Sequence, residues 1–175
     1  MSYHVYTTEA IILKRRDFGE ADSLFSFFTK DFGRLEVRAQ GVRHLKSKLR
    51  YHLSGLSFVK IAFVAASGDS WRLVDAEEIG VLKDTREDED KTKCALKIFS
   101  LLERLIQGQE SDRELWEGIS SVLVFLENNE LGKGELRNFA IESALDVATH
   151  LGYADKRGKL SPVLAIKFAL EQSHL

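Results

Sequence analysis

Residues 34–50 form the most strongly basic stretch of the chain. The stretch contains one acid, Glu36, and six basic side chains, whereas the whole chain has a net charge of −2. The six basic residues are Arg34, Arg38, Arg43, Lys46, Lys48 and Arg50. A local basic block in an acidic protein is typical of a polyanion-binding site. A solvated surface loop would carry similar charges. We favour contact with the phosphates of a nucleic acid.

Aromatic side chains precede this block and could stack on nucleic-acid bases. They are Phe18, Phe25, Phe27, Phe28 and Phe32. Because side chains alternate along a strand, Phe25 and Phe27 share one face and Phe28 lies on the other. One face must pack in a core, and the other could form a stacking platform. The sequence alone equally allows all five to be core residues.

The chain lacks the motifs of the common catalytic sites. Lys133 lies between Gly132 and Gly134, but Glu127 occupies the position of the first glycine of a phosphate-binding loop, and no Ser or Thr follows the lysine. No GxSxG or HExxH motif is present. With Cys94 as the one cysteine, the chain cannot build a thiolate zinc site. We therefore expect no enzymatic activity, no cofactor and no bound metal.

Three acids near the first glycine turn could in principle hold a divalent cation. Asp17, Glu20 and Asp22 surround Gly19. A hard-cation site needs several converging oxygens, however. We therefore favour a solvated acidic turn.

The cysteine content and the N-terminus predict a cytoplasmic location. A single cysteine excludes an intramolecular disulfide, as a reducing compartment allows. The opening residues MSYHVYTTEA lack the apolar run of a signal peptide. Cys94 lies on a helical apolar stripe, where we expect it to be buried as a small hydrophobic side chain.

The first half of the chain has the pattern of five short strands. Glycine turns separate the segments 10–16, 23–30, 34–40, 58–65 and 71–74. In the first strand, Ile11 and Leu13 should share one face, and Lys14 and Arg16 the other. In the third strand, alternation places Leu35, Val37 and Ala39 inward and Arg34, Glu36, Arg38 and Gln40 outward. Such a series predicts a small barrel.

The second half has the pattern of a small helical bundle. An acidic run at 84–90 precedes an apolar stripe at 95–106, and residues 111–114 match a capping box before a second stripe. A third stripe ends at Gly152, and Ser161 with Pro162 could begin a last helix. Residues 1–60 carry a net charge of +5 and residues 81–175 a net charge of −4, so we expect the halves to meet different partners.

Three sequence blocks in the first half resemble a known family. TEAIILKRRDFGEADSL at 8–24, FTKDFGRL at 28–35 and AQGVRHLKSKLR at 39–50 are similar, in order and spacing, to the opening of RecO, the bacterial recombination mediator family. The resemblance implies an α+β protein, in which a five-stranded OB-fold β-barrel (residues 1–83) precedes a small C-terminal helical bundle (residues 84–175).

The same resemblance implies a function in DNA repair. It implies a non-enzymatic, nucleoid-associated protein of the bacterial cytoplasm that binds single-stranded and double-stranded DNA and anneals complementary strands. With RecR, such a protein helps to load RecA on DNA coated by the single-strand-binding protein. By position, the candidate DNA-binding residues are Lys14, Arg15, Arg16, Arg34, Arg38, Arg43, Lys46, Lys48 and Arg50. A second basic group, at Lys156, Arg157 and Lys159, is expected to contribute less.

The helical half departs from the family pattern. Many relatives carry a four-cysteine zinc module that this chain cannot form, and the helical domain is expected to be shorter than in relatives. In the family this half helps to capture the acidic, hydrophobic tail of the single-strand-binding protein. Lys91, Lys93 and Lys97 are the candidate basic rim for that tail, since Lys93 and Lys97 lie one helical turn apart. A solvated helix face is the alternative.

Two other functions fit the same residues. The chain could be a protein-interaction adapter whose barrel binds DNA weakly, or an RNA-binding OB-fold protein, since such barrels bind both nucleic acids. The basic block favours nucleic-acid binding over the adapter, and the three blocks favour DNA over RNA.

Overall fold

The structure is a computed structural model that describes residues 4–53, 55–68, 70–106 and 108–153. The described chain divides into two compact units. The first comprises the residues up to Leu82 together with Gly108–Trp116, and the second comprises residues 83–106 and those from Glu117 onwards. The strands are β1 (Val5–Phe18), β2 (Asp22–Thr29), β3 (Gly33–Ala39), β4 (Ser57–Ala65) and β5 (Trp71–Val81), and the helices are α1 (Leu49–His52), α2 (Lys83–Glu87), α3 (Glu89–Leu105), α4 (Arg113–Asn128) and α5 (Lys133–His150).

The five strands close into a barrel in the order β1-β2-β3-β5-β4. The β3–β5 ladder is parallel, and the other four ladders are antiparallel. The short helix α1 follows the basic loop between β3 and β4. The α+β prediction, with a five-stranded barrel followed by helices, is therefore confirmed.

Alternating side chains fill the barrel interior. Leu35, Val37 and Ala39 of β3 have no exposed surface, and they join one buried cluster with residues of the other four strands. Glu36 and Arg38 are exposed on the opposite face, as the sequence predicted. This alternation determines which side chains of the basic stretch are available to a ligand.

The first strand does not follow the simple alternation predicted for it. Ile12 pairs with Phe27 and Lys14 pairs with Ser26, so Leu13 is an extra residue in a β-bulge. The bulge shifts the alternation of side chains along the strand. As a result, Ile11 and Lys14, which are three residues apart, both lie on the outer face. The prediction that Ile11 and Lys14 occupy opposite faces was wrong, because periodicity gives no sign of an inserted residue.

The helical unit begins with capped helices. Asp88, in the acidic run, accepts hydrogen bonds from the N–H groups of Asp90 (2.8 Å) and Lys91 (3.0 Å) at the start of α3. Gly152 ends α5 with a φ of 79°, as predicted. The last helix predicted from Ser161 and Pro162 lies outside the described residues.

The start of α4, which belongs to the barrel unit, differs from the predicted capping box. Asp112 accepts the hydrogen bond from the N–H of Leu115 at 2.9 Å, so Asp112 caps the helix in place of Ser111. Because both residues are good N-caps, the sequence pattern could not distinguish these two positions.

A carboxylate from α4 caps α2 within the helical unit. Glu127 accepts hydrogen bonds from the backbone N–H groups of Asp84 and Thr85, both at 2.9 Å, and from the Thr85 hydroxyl at 2.8 Å. Burial opposes ionisation of Glu127, but the Thr85 and Asp84 donors outweigh it and lower the pKa of the carboxyl. This carboxylate therefore ties together residues that are 42 positions apart.

Cys94 is buried in the helical unit. Its thiol lies 3.6 Å from the carbonyl oxygen of Leu136, and burial raises the pKa of the thiol. It is a core residue, as predicted. None of the described helices combines the length and the apolar character needed to cross a bilayer.

Candidate nucleic-acid interface

A row of three arginines crosses the outer face of the barrel. Arg16 on β1 pairs with Leu24 on β2, Leu24 pairs with Arg38 on β3, and Arg38 pairs with Arg72 on β5. Residues that are directly paired in a sheet point to the same side of it. The barrel thus aligns cations that are far apart in the sequence.

The next rows of the same face carry further charge. Lys14 pairs with Ser26, which pairs with Glu36, and Arg34 pairs with Phe28. Glu36 forms ion pairs with Arg16 at 3.4 Å and with Arg34 at 3.6 Å. The pair with Arg16 is exposed and the pair with Arg34 is partly exposed, so neither contributes much stability.

Asp22 fixes the position of Arg38. One oxygen of its carboxylate, Oδ2, accepts from Arg38 Nε at 2.8 Å and lies 2.6 Å from Nη2, and the other, Oδ1, accepts from the N–H of Gly41 at 2.8 Å. The Gly41 N–H and the Arg38 guanidinium lower the pKa of the Asp22 carboxyl. The guanidinium carbon of Arg38 lies 4.6 Å from the centre of the Phe18 ring, a cation–π contact.

A groove opens beside this contact. It has a volume of about 400 Å³, and its walls include Phe18, Arg38, Gln40, Trp71 and Arg72, with the β4–β5 loop residues Ala66, Ser67 and Ser70 along one side. In OB-folds the strand 2–3 face and the loops that border it bind oligonucleotides. This groove lies in the corresponding part of the barrel.

The first part of the basic loop packs on the β1–β2 turn. The N–H of Arg43 donates to the carbonyl of Ala21 at 2.9 Å, and its Nη1 donates to the carbonyl of Gly19 at 3.1 Å. Asp17 lies 3.6 Å from Arg43 and 4.0 Å from Arg15. Arg15 therefore lies beside the turn, on the face of β1 opposite to Arg16.

The remaining cations of the loop are exposed. Lys46, Lys48 and Arg50 form no ion pair with any residue that the structure describes. Leu49, between them, packs against the barrel core and anchors this part of the chain. These three charges are available to a polyanion, because no acid in the described part of the chain pairs with them.

Four of the five candidate aromatic residues are not available for stacking. Phe25 and Phe27 stack on each other inside the barrel, and Phe28 is buried on the outer face, 5.6 Å from the ring of Trp116. Phe32 packs against the barrel core. Phe18, with 48% of its surface exposed, is the one of the five that a base could reach.

Two residues of the groove were missed in the sequence. Arg72 alternates with the buried Leu73, which places it on the outer face, but nothing local indicates that β5 lies beside β3. Trp71 pairs with Val37, and its indole N–H donates to Gln109 at 3.3 Å. Alternation could have placed Arg72 outward; the parallel ladder that brings it to Arg38 could not be read from the sequence.

The acidic cluster of the β1–β2 turn is engaged by arginines. Asp22 binds Arg38, and Asp17 contacts Arg15 and Arg43. Across the described part of the chain, no three His, Cys, Asp or Glu side chains lie together as metal ligands. The role of these acids in the structure is to orient arginines.

The three candidate partner-binding lysines of α3 do not lie together on the surface. Lys91 is buried, with 1% of its surface exposed, so it is not part of an exposed rim. Lys93 is exposed and pairs with Glu89 at 2.6 Å, and Lys97 is exposed one turn later. Leu96, also exposed, lies between them. The second basic group, Lys156, Arg157 and Lys159, lies outside the described residues.

Residues 1–79 match the protein family described as "Recombination protein O N terminal". Curated proteins named DNA repair protein RecO are also similar to this chain. The protein from Thermodesulfovibrio yellowstonii is 30% identical over 125 residues, which is 70% of this chain and 49% of that protein. The protein from Myxococcus xanthus is 27% identical over 138 residues, which is 79% of this chain and 57% of that protein. The protein from Rubrobacter xylanophilus is 28% identical over 153 residues, which is 87% of this chain and 59% of that protein.

The matches to these relatives extend beyond the barrel. A match over 87% of the chain must include residues of the helical unit, which the sequence blocks quoted above do not reach. The chain spans about half the length of the curated relatives it matches.

Proposed function

We propose that this chain, whose N-terminal region (residues 1–79) belongs to the recombination protein O family, binds DNA through the outer face of its barrel. The observation that carries the proposal is the cross-strand row of Arg16, Arg38 and Arg72 beside a groove with an exposed aromatic ring. Arginine side chains on a rigid sheet contact phosphates at fixed positions, and they carry no sequence information by themselves.

The loop cations extend this surface in the proposal. Lys46, Lys48 and Arg50 are exposed, and Arg43 ties the loop to the β1–β2 turn. Phosphate binding by these groups, together with the outer-face residues Lys14, Arg16, Arg34 and Arg38, needs no particular base sequence. We therefore expect binding of single-stranded DNA without strong sequence preference.

Fluorescence anisotropy with labelled oligonucleotides tests this function. Affinity for single-stranded DNA should fall steeply between low and moderate salt, with a log–log slope of about −0.7 per phosphate contact. A flat salt response, or no binding at low salt, would rule out the phosphate interface. Ribonucleotide and duplex strands of equal length, measured in the same way, distinguish a DNA-binding protein from the RNA-binding alternative.

The biological role that we propose is that of a non-enzymatic recombination mediator in DNA repair. The support is the family of the N-terminal region and the relatives named DNA repair protein RecO. In this role the chain would also bind duplex DNA, anneal complementary strands and, with RecR, help to load RecA on DNA coated by the single-strand-binding protein. An annealing assay with two labelled complementary strands tests the annealing activity. The protein should accelerate duplex formation at substoichiometric concentration, and this acceleration should be sensitive to salt.

For the partner contact, we propose the exposed face of α3 as the site for the acidic, hydrophobic tail of the single-strand-binding protein. Lys93 and Lys97 flank the exposed Leu96, so one helix face offers cationic and apolar contacts together. A synthetic tail peptide should bind the full chain, and the double variant Lys93→Glu with Lys97→Glu should lose that binding. Undiminished binding in the double variant would move the site elsewhere. Peptide binding without DNA binding would favour the adapter function.

A further inference from the structure

We infer that the groove beside Phe18 is a stacking subsite for one unpaired base, with the Phe18 ring and the Arg38 guanidinium as its platform. The inference rests on the proposed function, because it states how the same surface distinguishes a single strand from a duplex.

The position of the Arg38 guanidinium over the Phe18 ring is fixed in advance. Phe18 is 48% exposed, and the Arg38 guanidinium lies 4.6 Å from the centre of its ring. Asp22 holds both Nε and Nη2 of Arg38, while its other oxygen binds the N–H of Gly41. The orientation of the guanidinium is thus set by two strands and a loop. Bases stack on aromatic rings and on guanidinium planes of this kind.

The groove has the size and the lining for one base. Its volume of about 400 Å³ is near the lower end of the range for small-ligand pockets. Gln40 offers its side-chain amide to the edge of a base, and Ser70, whose hydroxyl donates to the Ser67 carbonyl at 2.8 Å, offers an acceptor oxygen. Arg72 forms no ion pair with any described residue, so its guanidinium is available to the phosphate that follows the stacked base.

This geometry favours single strands. In a duplex each base is stacked on its neighbours and paired, and extruding one costs a few kcal/mol. A single strand offers its bases at much lower cost, whereas its phosphates resemble those of a duplex. The arginine row would attract either form, and the groove would select the one with accessible bases.

Removing the bases while keeping the phosphates tests the subsite. We would measure the affinity of the full chain for an oligothymidine and for an abasic strand of the same length at one salt concentration. The wild type should prefer the thymidine strand by about 5- to 150-fold, the range expected for one base–aromatic stack. Phe18→Leu should remove most of that preference, lowering thymidine affinity far more than abasic affinity.

Matched variants separate the possible outcomes. Phe125→Leu, which truncates an exposed ring in the helical unit, should keep the full preference. Arg38→Lys retains the charge but not the guanidinium plane, so it should also reduce the preference, and it decides the question if Phe18→Leu does not fold. Equal affinity of the wild type for both strands would overturn the subsite alone. No binding of either strand would overturn the proposed function itself.

Discussion

Arg38 and Arg72 are direct partners in the parallel β3–β5 ladder, which places two cations side by side on the surface of the barrel. Like charges at paired positions of a sheet are unfavourable. Asp22 neutralises Arg38, and Arg72 has no such partner among the described residues. A side chain that costs stability in the free protein and lies in a groove is a strong candidate for a ligand contact.

Arg72→Gln should therefore weaken DNA binding without weakening the fold. We expect the slope of log affinity against log salt to become less steep by about 0.7. Because the like-charge contact is relieved, the free energy of unfolding should stay constant or rise by up to about 0.5 kcal/mol. Anisotropy titrations and urea melts measure the two effects. Arg137→Gln, an exposed arginine on α5, is the control and should leave the salt slope unchanged.

Charge reversal in the basic loop should have a larger effect on binding. Lys46→Glu with Lys48→Glu removes two exposed cations and adds two anions, so affinity for single-stranded DNA at low salt should fall at least about tenfold. The comparison is Lys133→Glu with Arg137→Glu on α5. Equal losses in the two double variants would show that the DNA footprint extends over both units.

Gly33 should be far less replaceable than Gly19. Both have a φ of 61°, so alanine costs about 1–2 kcal/mol at either position. At Gly33 a methyl group would also collide with the backbone carbonyl of Glu110, whereas nothing lies within 4 Å at Gly19. Gly33→Ala should thus cost roughly 1–3 kcal/mol more than Gly19→Ala in chemical denaturation. Similar costs would mean that the 108–116 segment moves away readily.

The Asp22 carboxylate should make stability depend on pH in the acidic range. Its pKa is lowered in the folded state by the Gly41 N–H and by Arg38, so its contribution is complete above the unfolded pKa of about 3.9. That contribution is lost as the pH falls through the folded pKa. Asp22→Asn should accordingly lower the urea midpoint at pH 5 and have less effect with each step toward pH 2. A constant difference across this range would contradict the linkage.

Glu127→Gln should destabilise the helical unit. One carboxylate oxygen accepts from Asp84, and the other accepts from the N–H and the hydroxyl of the buried Thr85. A glutamine presents an NH₂ group to one of these donors, so we expect a loss of about 1–3 kcal/mol in thermal or chemical unfolding. Glu130→Gln, three residues later on the exposed surface, is the matched control and should change stability by less than about 0.5 kcal/mol.

Local periodicity was sufficient to predict most of the barrel. The inward positions Leu35, Val37 and Ala39 and the outward positions Glu36 and Arg38 follow from alternation alone, and the glycine turns separate the strands. These features depend on interactions between near neighbours, which a single sequence displays directly.

What could not be predicted depends on pairing between distant residues. The partnership of Arg38 with Arg72 needs a parallel ladder between strands that are not consecutive. The burial of Lys91 depends on tertiary packing, whereas its neighbours in the sequence indicate an exposed helical turn. The groove itself combines residues from β1, β3, β5 and the β4–β5 loop, so it exists only once the barrel has closed.

The bulge at Leu13 makes the number of residues in β1 as important as their types. Ile12 pairs with Phe27 and Lys14 pairs with Ser26, so loss of Leu13 alone would make the ladder regular and keep Lys14, Arg16 and Phe18 on the outer face. Loss of Arg15, in the regular part of the strand, would instead turn Arg16 and Phe18 toward the barrel interior. A one-residue deletion should therefore preserve the ligand surface at Leu13 and remove it two positions later.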